Sequence, residues 1–418
     1  MPTQRALRRV VVTGLGVVSP IGNSLEEFWQ NLLAGQCGIQ RIDEWDTEGY
    51  PAHFAGKVTG FDATKYLTRQ QVRRTSRFSQ FGVTAALDAL ADSGLDMDAE
   101  DGERVAISMG TAVAGMEVVE GETPKLIEKG PRRVNPMLIP SIIGNMAGCL
   151  VSIMLKTCGP VLCPVGACAT GCMAIGDAFE LVARGEADVA IAGGAEAVTT
   201  PLSVAAFGRL GALSRNDEDA TLVCRPFDAD RDGTVLSEGA AAVVLESEDH
   251  ARARGAKVLA ELAGYGLTSD GYHVAAPDPS GNGAARAMQK ALTRGGIQLE
   301  EVSYVCAHGT GTPLNDIAES NAIRQVFGDH VENVLVSSNK YTLGHTLGAA
   351  GALSAVATVQ SIGAGVVPGT LNLRHVDPEC KIRVIAENVV AEVDAALVNA
   401  LGFGGQNASL VFRRWRAE

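Results

Sequence analysis

The chain has 418 residues, of which 46% are hydrophobic and 20% are charged. This length exceeds one ordinary hydrophobic core, so we expect two packed halves, and the composition excludes a disordered chain. The formal net charge of −13 argues against nucleic acid or a membrane surface as a main partner. The nine cysteines form no dense framework, and their odd number fits a reducing cytoplasm. They contain no C-x-x-C pair, which argues against a zinc or iron–sulfur centre.

The first elements predicted are a strand over residues 9–13 and a helix that begins near Ser24, where Ser24 and Glu27 have capping-box spacing. Between them, Gly14-Leu15-Gly16 resembles part of a dinucleotide-binding fingerprint. However, Ser19 replaces the third glycine, and no strand ending in an acidic residue follows about twenty residues later. We therefore do not expect a Rossmann site.

Strands and helices then alternate through the chain, and the pattern restarts near residue 256. The expected helices are 75–94, 169–185, 282–294 and 316–326, and the expected strands are 104–109, 161–162, 188–192, 243–245, 258–266, 304–307 and 335–338. This alternation predicts an α/β fold. We place one half at residues 1–255 and the other at residues 256–418.

Two long uncharged stretches, residues 134–155 and 346–373, raise the question of membrane spans. Both are interrupted by glycine, proline or polar residues. We therefore interpret both as buried helices of a large core and expect no membrane association.

Cys168 stands where a predicted strand ends and a predicted helix begins. The unpaired N–H groups and the dipole at a helix start favour a thiolate, which is a strong nucleophile. A buried structural cysteine is the alternative from this stretch alone. His308 and His345 also follow predicted strands inside glycine-rich loops, and the three residues together favour covalent catalysis.

The motifs around these residues, GACATG, AHGTGTPLNDIAE and NKYTLGHTLGAAG, resemble those of the β-ketoacyl-acyl carrier protein synthases, most closely the elongating enzymes of type II fatty acid synthesis. The stretches RPFD at 225–228 and GFGG at 402–405 extend the match. The resemblance implies a thiolase-like, duplicated five-layered α-β-α-β-α fold, and a homodimer. It also implies a decarboxylative Claisen condensation, in which an acyl group held as a cysteine thioester reacts with malonyl-acyl carrier protein to give 3-oxoacyl-acyl carrier protein and CO2.

The same resemblance assigns roles to the reactive residues. Cys168 would hold the acyl group, and His308 and His345 would form an oxyanion site for malonyl decarboxylation. Lys340 and Glu319 would support the histidines, although an ordinary ion pair is the alternative for these two. No metal and no cofactor are implied, apart from the phosphopantetheine of the acyl carrier protein.

Further residues match positions that bind the substrate. Thr310 and Thr312 would bind the phosphopantetheine arm, and the backbone N–H groups of Cys168 and Phe403 would form a second oxyanion site. Val113 and Leu401 would bound an acyl pocket, with Phe403 as its gate.

An acidic carrier protein needs a local basic surface on this acidic chain. Arg69, Arg73 and Arg74 have helical spacing with Arg77 and predict one basic face. A second candidate surface is formed by Lys125, Lys129, Arg132 and Arg133.

Two alternatives remain open. Asn315 and the segment 377–380 are similar to those of aromatic polyketide ketosynthases, which share the chemistry but make another product. A non-catalytic partner subunit with the same fold is less favoured, because Cys168 is present. A thiolase is not expected, since the loop 402–405 contains no second cysteine.

Overall fold

The computed structural model describes residues 7–416. The helices and strands of its first part, in chain order, are β1 Val10–Val18, α1 Leu25–Leu33, β2 Ile39–Arg41, β3 Phe54–Gly56, α2 Arg69–Val72, α3 Arg77–Ser93, β4 Val105–Gly110, α4 Met116–Lys129, α5 Leu138–Ile142, α6 Met146–Leu155, β5 Val161–Leu162, α7 Thr170–Ala183, β6 Val189–Ala197, α8 Pro201–Arg209, β7 Glu238–Ser247 and α9 Glu248–Ala253.

The second part repeats this alternation. Its elements are β8 Ala260–Ser269, α10 Asn282–Gly295, β9 Val302–Cys306, α11 Pro313–Phe327, β10 Leu335–Ser337, α12 Lys340–Leu343, α13 Ala350–Ala364, β11 Val366–Val367, β12 Val389–Val390, β13 Ala395–Gly402 and β14 Gln406–Arg413. Short 3-10 turns, Ala167–Ala169 and Leu347–Ala349, precede α7 and α13.

The described residues form a ten-stranded sheet in which one topology occurs twice. The order β5-β4-β6-β7-β1 in the first part matches β10-β9-β13-β14-β8 in the second. In each set the first three strands are parallel and the last two pairings are antiparallel. The two sets join where β1 pairs with β8 through three residues. The predicted duplicated fold is therefore confirmed, whereas the division between residues 255 and 256 stays a prediction.

Helices α7 and α13 form the central layer between the two sets of strands, and the largest apolar cluster surrounds them. They cross closely at two glycines. A Cβ on Gly171 would lie 2.6 Å from the Ala352 nitrogen, and one on Gly351 would lie 2.7 Å from the Cys172 nitrogen. Outer helices, α3 and α6 on one side and α10 and α11 on the other, complete the five layers.

Strand β1 is longer than the sequence predicts, because its glycines lie inside the strand. A Cβ on Gly14 or Gly16 would lie 2.1 or 2.0 Å from backbone oxygens of α3. These glycines therefore allow helix α3 to pack directly on the strand, and they form no nucleotide loop. The Ser24 side chain caps α1 by accepting a hydrogen bond from the Glu27 nitrogen, as expected. The Glu27 carboxylate, however, accepts from the Asn23 nitrogen, so the reciprocal half of the capping box is shifted by one residue.

The two uncharged stretches behave differently. Leu347–Ala364 is the one candidate in the described part that is long and apolar enough to cross a membrane, and 83% of it is buried inside the protein, as predicted for a core helix. Residues 134–155 form α5 and α6, where the side chains of Ile139 and Ile153 are 62% and 69% exposed. The prediction of a fully buried core helix is therefore wrong for this second stretch.

Candidate active site

Cys168 lies in the turn Ala167–Ala169, between β5 and α7, and is almost fully buried. Ala167 has a positive φ of 49°, an uncommon conformation for a residue with a Cβ. The Gly166 N–H donates to the Thr170 hydroxyl at 2.8 Å and closes the turn. A Cβ on Gly402 would lie 2.4 Å from the Gly166 oxygen, so the end of β13 packs against the turn with no side chain between.

Burial raises the pKa of the Cys168 thiol to about 12. The charge of Lys340 and the backbone N–H groups of Phe403 and Cys168 act in the opposite direction but are outweighed. The prediction that the helix start favours a resting thiolate is therefore wrong, because desolvation dominates at this depth. The backbone N–H groups of Phe403 and Cys168 are close enough to the sulfur to lower its pKa, as the predicted second oxyanion site requires.

His308 and His345 come from two loops that converge on Cys168. The Cys168 Sγ and a ring nitrogen of each histidine all lie within 4.8 Å of one another, and the two rings meet edge to face with centroids 5.3 Å apart. Such spacing could also hold a metal ion, so the expectation of a metal-free site stays a prediction. Burial, followed by the charge of Lys340, holds the pKa of both histidines well below the usual range. Both imidazoles are therefore neutral near pH 7.

Glu319 supports the His308 loop through the backbone. Its two carboxylate oxygens accept hydrogen bonds from the His308 and Gly309 nitrogens, each at 2.8 Å. The Asn399 side-chain nitrogen lies 3.3 Å from the same carboxylate. Among the described residues no ion pair within 4.0 Å joins Glu319 to Lys340, but each charge acts on the pKa of the other group, so both the supporting role and the ion-pair alternative stay predictions. Lys340 is buried near the site and affects it through its charge.

A cavity of about 490 Å³ leads to these residues. Its lining includes Cys168, both histidines, Thr310, Thr312, Leu401 and Phe403. The hydroxyls of Thr310 and Thr312 are 2.8 Å apart, on one wall. Phe403 is 37% exposed, and its ring stacks on Phe207 with centroids 6.3 Å apart. The predicted arm-binding and gate residues thus share one cavity with the reactive residues.

Val113 is separated from the other two predicted pocket residues. It does not line this cavity and packs in an apolar cluster with Cys168, Leu236 and Leu347. Leu401 lines the cavity and also packs in the core of the second half. Val113 therefore belongs to the cluster around Cys168 without lining the cavity, and its role in chain length stays a prediction.

The predicted basic helix is interrupted. Helix α2 ends at Val72, so Arg73 and Arg74 lie beyond it, and α3 begins at Arg77. The Arg77 guanidinium is bound to the Glu238 carboxylate at 2.8 Å. The prediction of one helical basic face is wrong, although Arg69, Arg73 and Arg74 are all exposed.

Three residues of the site were missed by sequence reasoning. Glu196 adds to the rise in the pKa of Cys168 through its charge. Glu196 and Asn399 are isolated polar residues in the apolar strands β6 and β13, and this isolation was the available signal. Phe207 lies in helix α8, where an aromatic residue gives no such signal.

Comparisons with known proteins agree with this geometry. Family models for the Beta-ketoacyl synthase N-terminal and C-terminal domains match residues 7–251 and 259–374. The chain is 45% identical to a 3-oxoacyl-[acyl-carrier-protein] synthase 2 of Synechocystis, covering 98% of this chain and 99% of that protein. The protein of the same name from Vibrio cholerae is 43% identical, with 97% and 99% covered.

Solved structures give the same result. A beta-ketoacyl synthase from Burkholderia phymatum has a TM-score of 0.92 and 36% identity, covering 98% of this chain and 100% of that one. A ketosynthase solved in complex with a type II polyketide acyl-carrier protein has a TM-score of 0.91 and 34% identity, with the same coverage. The higher identity to the 3-oxoacyl synthases confirms the predicted condensing acyltransferase of fatty acid elongation over the polyketide alternative. From its fold, its converging cysteine and histidines and these matches along nearly its whole length, the chain belongs to the beta-ketoacyl synthase family.

Proposed function

We propose that this chain elongates an acyl group through a thioester on Cys168, and that His308 and His345 serve the decarboxylation of malonyl-acyl carrier protein. The observation that carries the proposal is the convergence of these three side chains, from both halves, on one cavity. The thiol and both imidazoles are neutral near pH 7, and this protonation state determines the role that each side chain can have in the reaction.

In the acyl-transfer step, the Cys168 thiol loses its proton to a neutral histidine beside it as the sulfur attacks the acyl thioester. A C–S bond forms to the enzyme, the C–S bond to the carrier breaks, and the carrier thiolate takes up the proton. The N–H groups of Cys168 and Phe403, which lie close to the sulfur, stabilise the oxyanion. A buried thiol is compatible with this step because the sulfur carries a negative charge only transiently, during the attack.

In the condensation step, the malonyl C–C bond breaks to release CO2 and leaves an enolate. Two neutral imidazoles can each donate one N–H to the enolate oxygen, and their low pKa values keep them in this form. The enolate carbon attacks the acyl carbonyl, the C–S bond to Cys168 breaks, and the Cys168 thiolate takes up a proton from solvent to restore the thiol. Burial and then the charge of Lys340 hold the histidines neutral, and Glu319 fixes the backbone of the His308 loop.

The substrates arrive on an acyl carrier protein. The cavity wall with Thr310 and Thr312 would receive the phosphopantetheine arm, and Phe403 would gate the inner end. The exposed cluster of Arg69, Arg73 and Arg74 is the proposed docking surface for the acidic carrier. No cofactor is proposed, apart from the carrier's own arm.

A homodimer is proposed from the exposed face around β5. This strand is an unpaired sheet edge in the described chain; helix α6 packs beside it, α5 contacts α6, and α4 contacts α5. The face exposes large apolar side chains, namely Leu126, Ile127, Ile139, Ile143 and Ile153. An edge strand next to such a patch is typical of a protein interface. A cytoplasmic location is proposed because all nine cysteines, which lie in the described residues, are free thiols.

The test is reconstitution with purified acyl and malonyl carrier proteins. We expect one round of elongation to a 3-oxoacyl carrier, seen by mass spectrometry, together with one equivalent of CO2. Repeated extension without reduction, giving a poly-oxo chain, would favour the polyketide alternative. A lack of any product with every carrier tested would contradict the proposal.

A further inference from the structure

Glu196 is a buried carboxylate in a strand that is otherwise made of apolar and small residues. All nine residues of β6 are buried, and Glu196 is 0% exposed. Burial raises its pKa to about 7, and the groups that act against this rise are hydrogen-bond donors. A carboxylate in such a place needs a structural or functional reason.

Its donors come from two separate loops. In the loop that follows β4, the Ala112 nitrogen donates at 2.7 Å, the Thr111 hydroxyl at 2.9 Å and the Val113 nitrogen at 3.3 Å. The fourth donor is the Gly348 nitrogen at 3.1 Å, in the turn before α13. One side chain therefore joins a loop of the first half to a turn of the second.

The two joined segments both contribute to the apolar cluster that contains Cys168. Val113 and Leu347, one from each segment, pack in the same apolar cluster as the Cys168 side chain. The two segments are in close contact, since a Cβ on Gly348 would lie 2.6 Å from the Ala112 nitrogen and 2.7 Å from the Glu196 carboxylate. A thioester on Cys168 would place its acyl chain against this cluster.

We propose that Glu196 is a positioning residue that determines acyl-chain specificity, because it fixes residues 111–113 against Gly348 and so fixes the spacing of Val113 and Leu347. This role rests on the proposed function of Cys168 as the acyl-bearing residue. Glu196 itself need not touch the substrate. Its four hydrogen bonds require an acceptor on both side-chain oxygens, which only the carboxylate supplies.

The test compares Glu196→Gln with Glu246→Gln. Glu246 is an equally buried glutamate on the neighbouring strand β7, but its partners are Thr13, His250 and Arg254. An amide at 196 would present N–H groups to N–H donors, so the two loops should separate. We expect the ratio of acylation rates for short over long acyl carriers to fall about tenfold, a change typical of a methylene-sized difference in an apolar pocket. Malonyl decarboxylation should stay near the wild-type rate.

Hydrogen exchange gives a readout that does not depend on Cys168 chemistry. In Glu196→Gln the amides of residues 111–114 and 346–349 should exchange faster, and in Glu246→Gln they should not. Thr111→Val removes one donor without changing charge and should shift the chain-length ratio less but in the same direction. The proposal would be overturned if the short-to-long ratio of acylation rates were unchanged in both Thr111→Val and Glu196→Gln. It would also be overturned if Glu246→Gln changed that ratio as much as Glu196→Gln does. Wild-type protein that is not acylated at all would instead refute the proposed function.

Discussion

The two halves place different residues at one structural position. The turns Ala167–Ala169 and Leu347–Ala349 each precede a central helix, and each begins with a residue of positive φ, 49° at Ala167 and 41° at Leu347. The middle residue is Cys168 in the first turn and Gly348 in the second. The first turn therefore presents a nucleophile, whereas the second packs its bare backbone against Ala112 and Glu196.

Each half also contains a buried glutamate that accepts hydrogen bonds from backbone N–H groups. These groups lie in the loop after β4 in the first half and in the loop after β9 in the second. Glu196 holds residues 111–113, and Glu319 holds His308 and Gly309. Burial raises the pKa of both to about 7. The duplicated scaffold is thus preserved, while the proposed function divides the chemistry, with covalent capture on Cys168 of the first half and charge stabilisation by His308 and His345 of the second.

The largest expected effect tests the nucleophile. Cys168→Ala should abolish the acyl adduct and condensation, because the equivalent Gly348 offers no thiol. Intact-protein mass after incubation with acyl carrier measures the adduct. Cys172→Ala, a buried cysteine in the following helix turn, is the matched control and should be acylated like the wild type. An adduct that persists in Cys168→Ala would break the comparison.

The histidine variants test the division of labour. His308→Ala or His345→Ala should slow malonyl decarboxylation by about a hundred- to a thousandfold, as is typical when one oxyanion donor is removed. Burst acylation of Cys168 should persist, although more slowly if that histidine accepts the thiol proton. Rapid-quench assays of labelled CO2 and of acyl-enzyme measure the two steps. An equal loss of both would mean that the halves do not divide the chemistry.

The helix crossing tests the symmetry of the scaffold. Gly351→Ala should lower the free energy of unfolding by about 1–3 kcal/mol, because the added methyl overlaps the α7 backbone. Gly363→Ala in the same helix meets nothing within 4 Å and should stabilise by about 0.5–1 kcal/mol. Chemical denaturation compares them, and similar effects from both would contradict the close packing of α7 on α13.

The last expected effect is a pH dependence of stability. The pKa of Glu319 is raised from 4.5 to about 7, so its contribution is fully present below pH 4.5 and is lost as the pH rises through about 7. The pKa of Glu246 is lowered to about 2, so its contribution is present above pH 4.5 and is lost as the pH falls towards 2. Urea denaturation from pH 3 to 8 should show that Glu319→Gln flattens the neutral side of the profile. Glu246→Gln should flatten only the acid side, and the reverse pattern would contradict both assignments.

The sequence alone determined the family, the fold class and the reactive residues. Cys168, His308 and His345 lie in motifs whose residue types are required by the chemistry, so they can be identified from the sequence alone. Most helices and strands were also predictable, because apolar periodicity and terminal glycines are local signals. Strands β13 and β14 were not predicted, and β1 and β6 were predicted too short, since their glycines resemble turns until the packed neighbour is known.

Only the tertiary structure decided the state of the site and the environment of each side chain. The helix position of Cys168 favours a thiolate, but burial by the surrounding chain reverses that preference. Arg77 has helical spacing with Arg73, but the helix ends at Val72. Arg77 instead forms an ion pair with Glu238, a residue far away in the sequence. The hydrogen-bond partners of Glu196 lie in loops up to 152 residues away in the sequence. Desolvation and long-range hydrogen bonds depend on which segments meet, and that information is absent from any local pattern of residues.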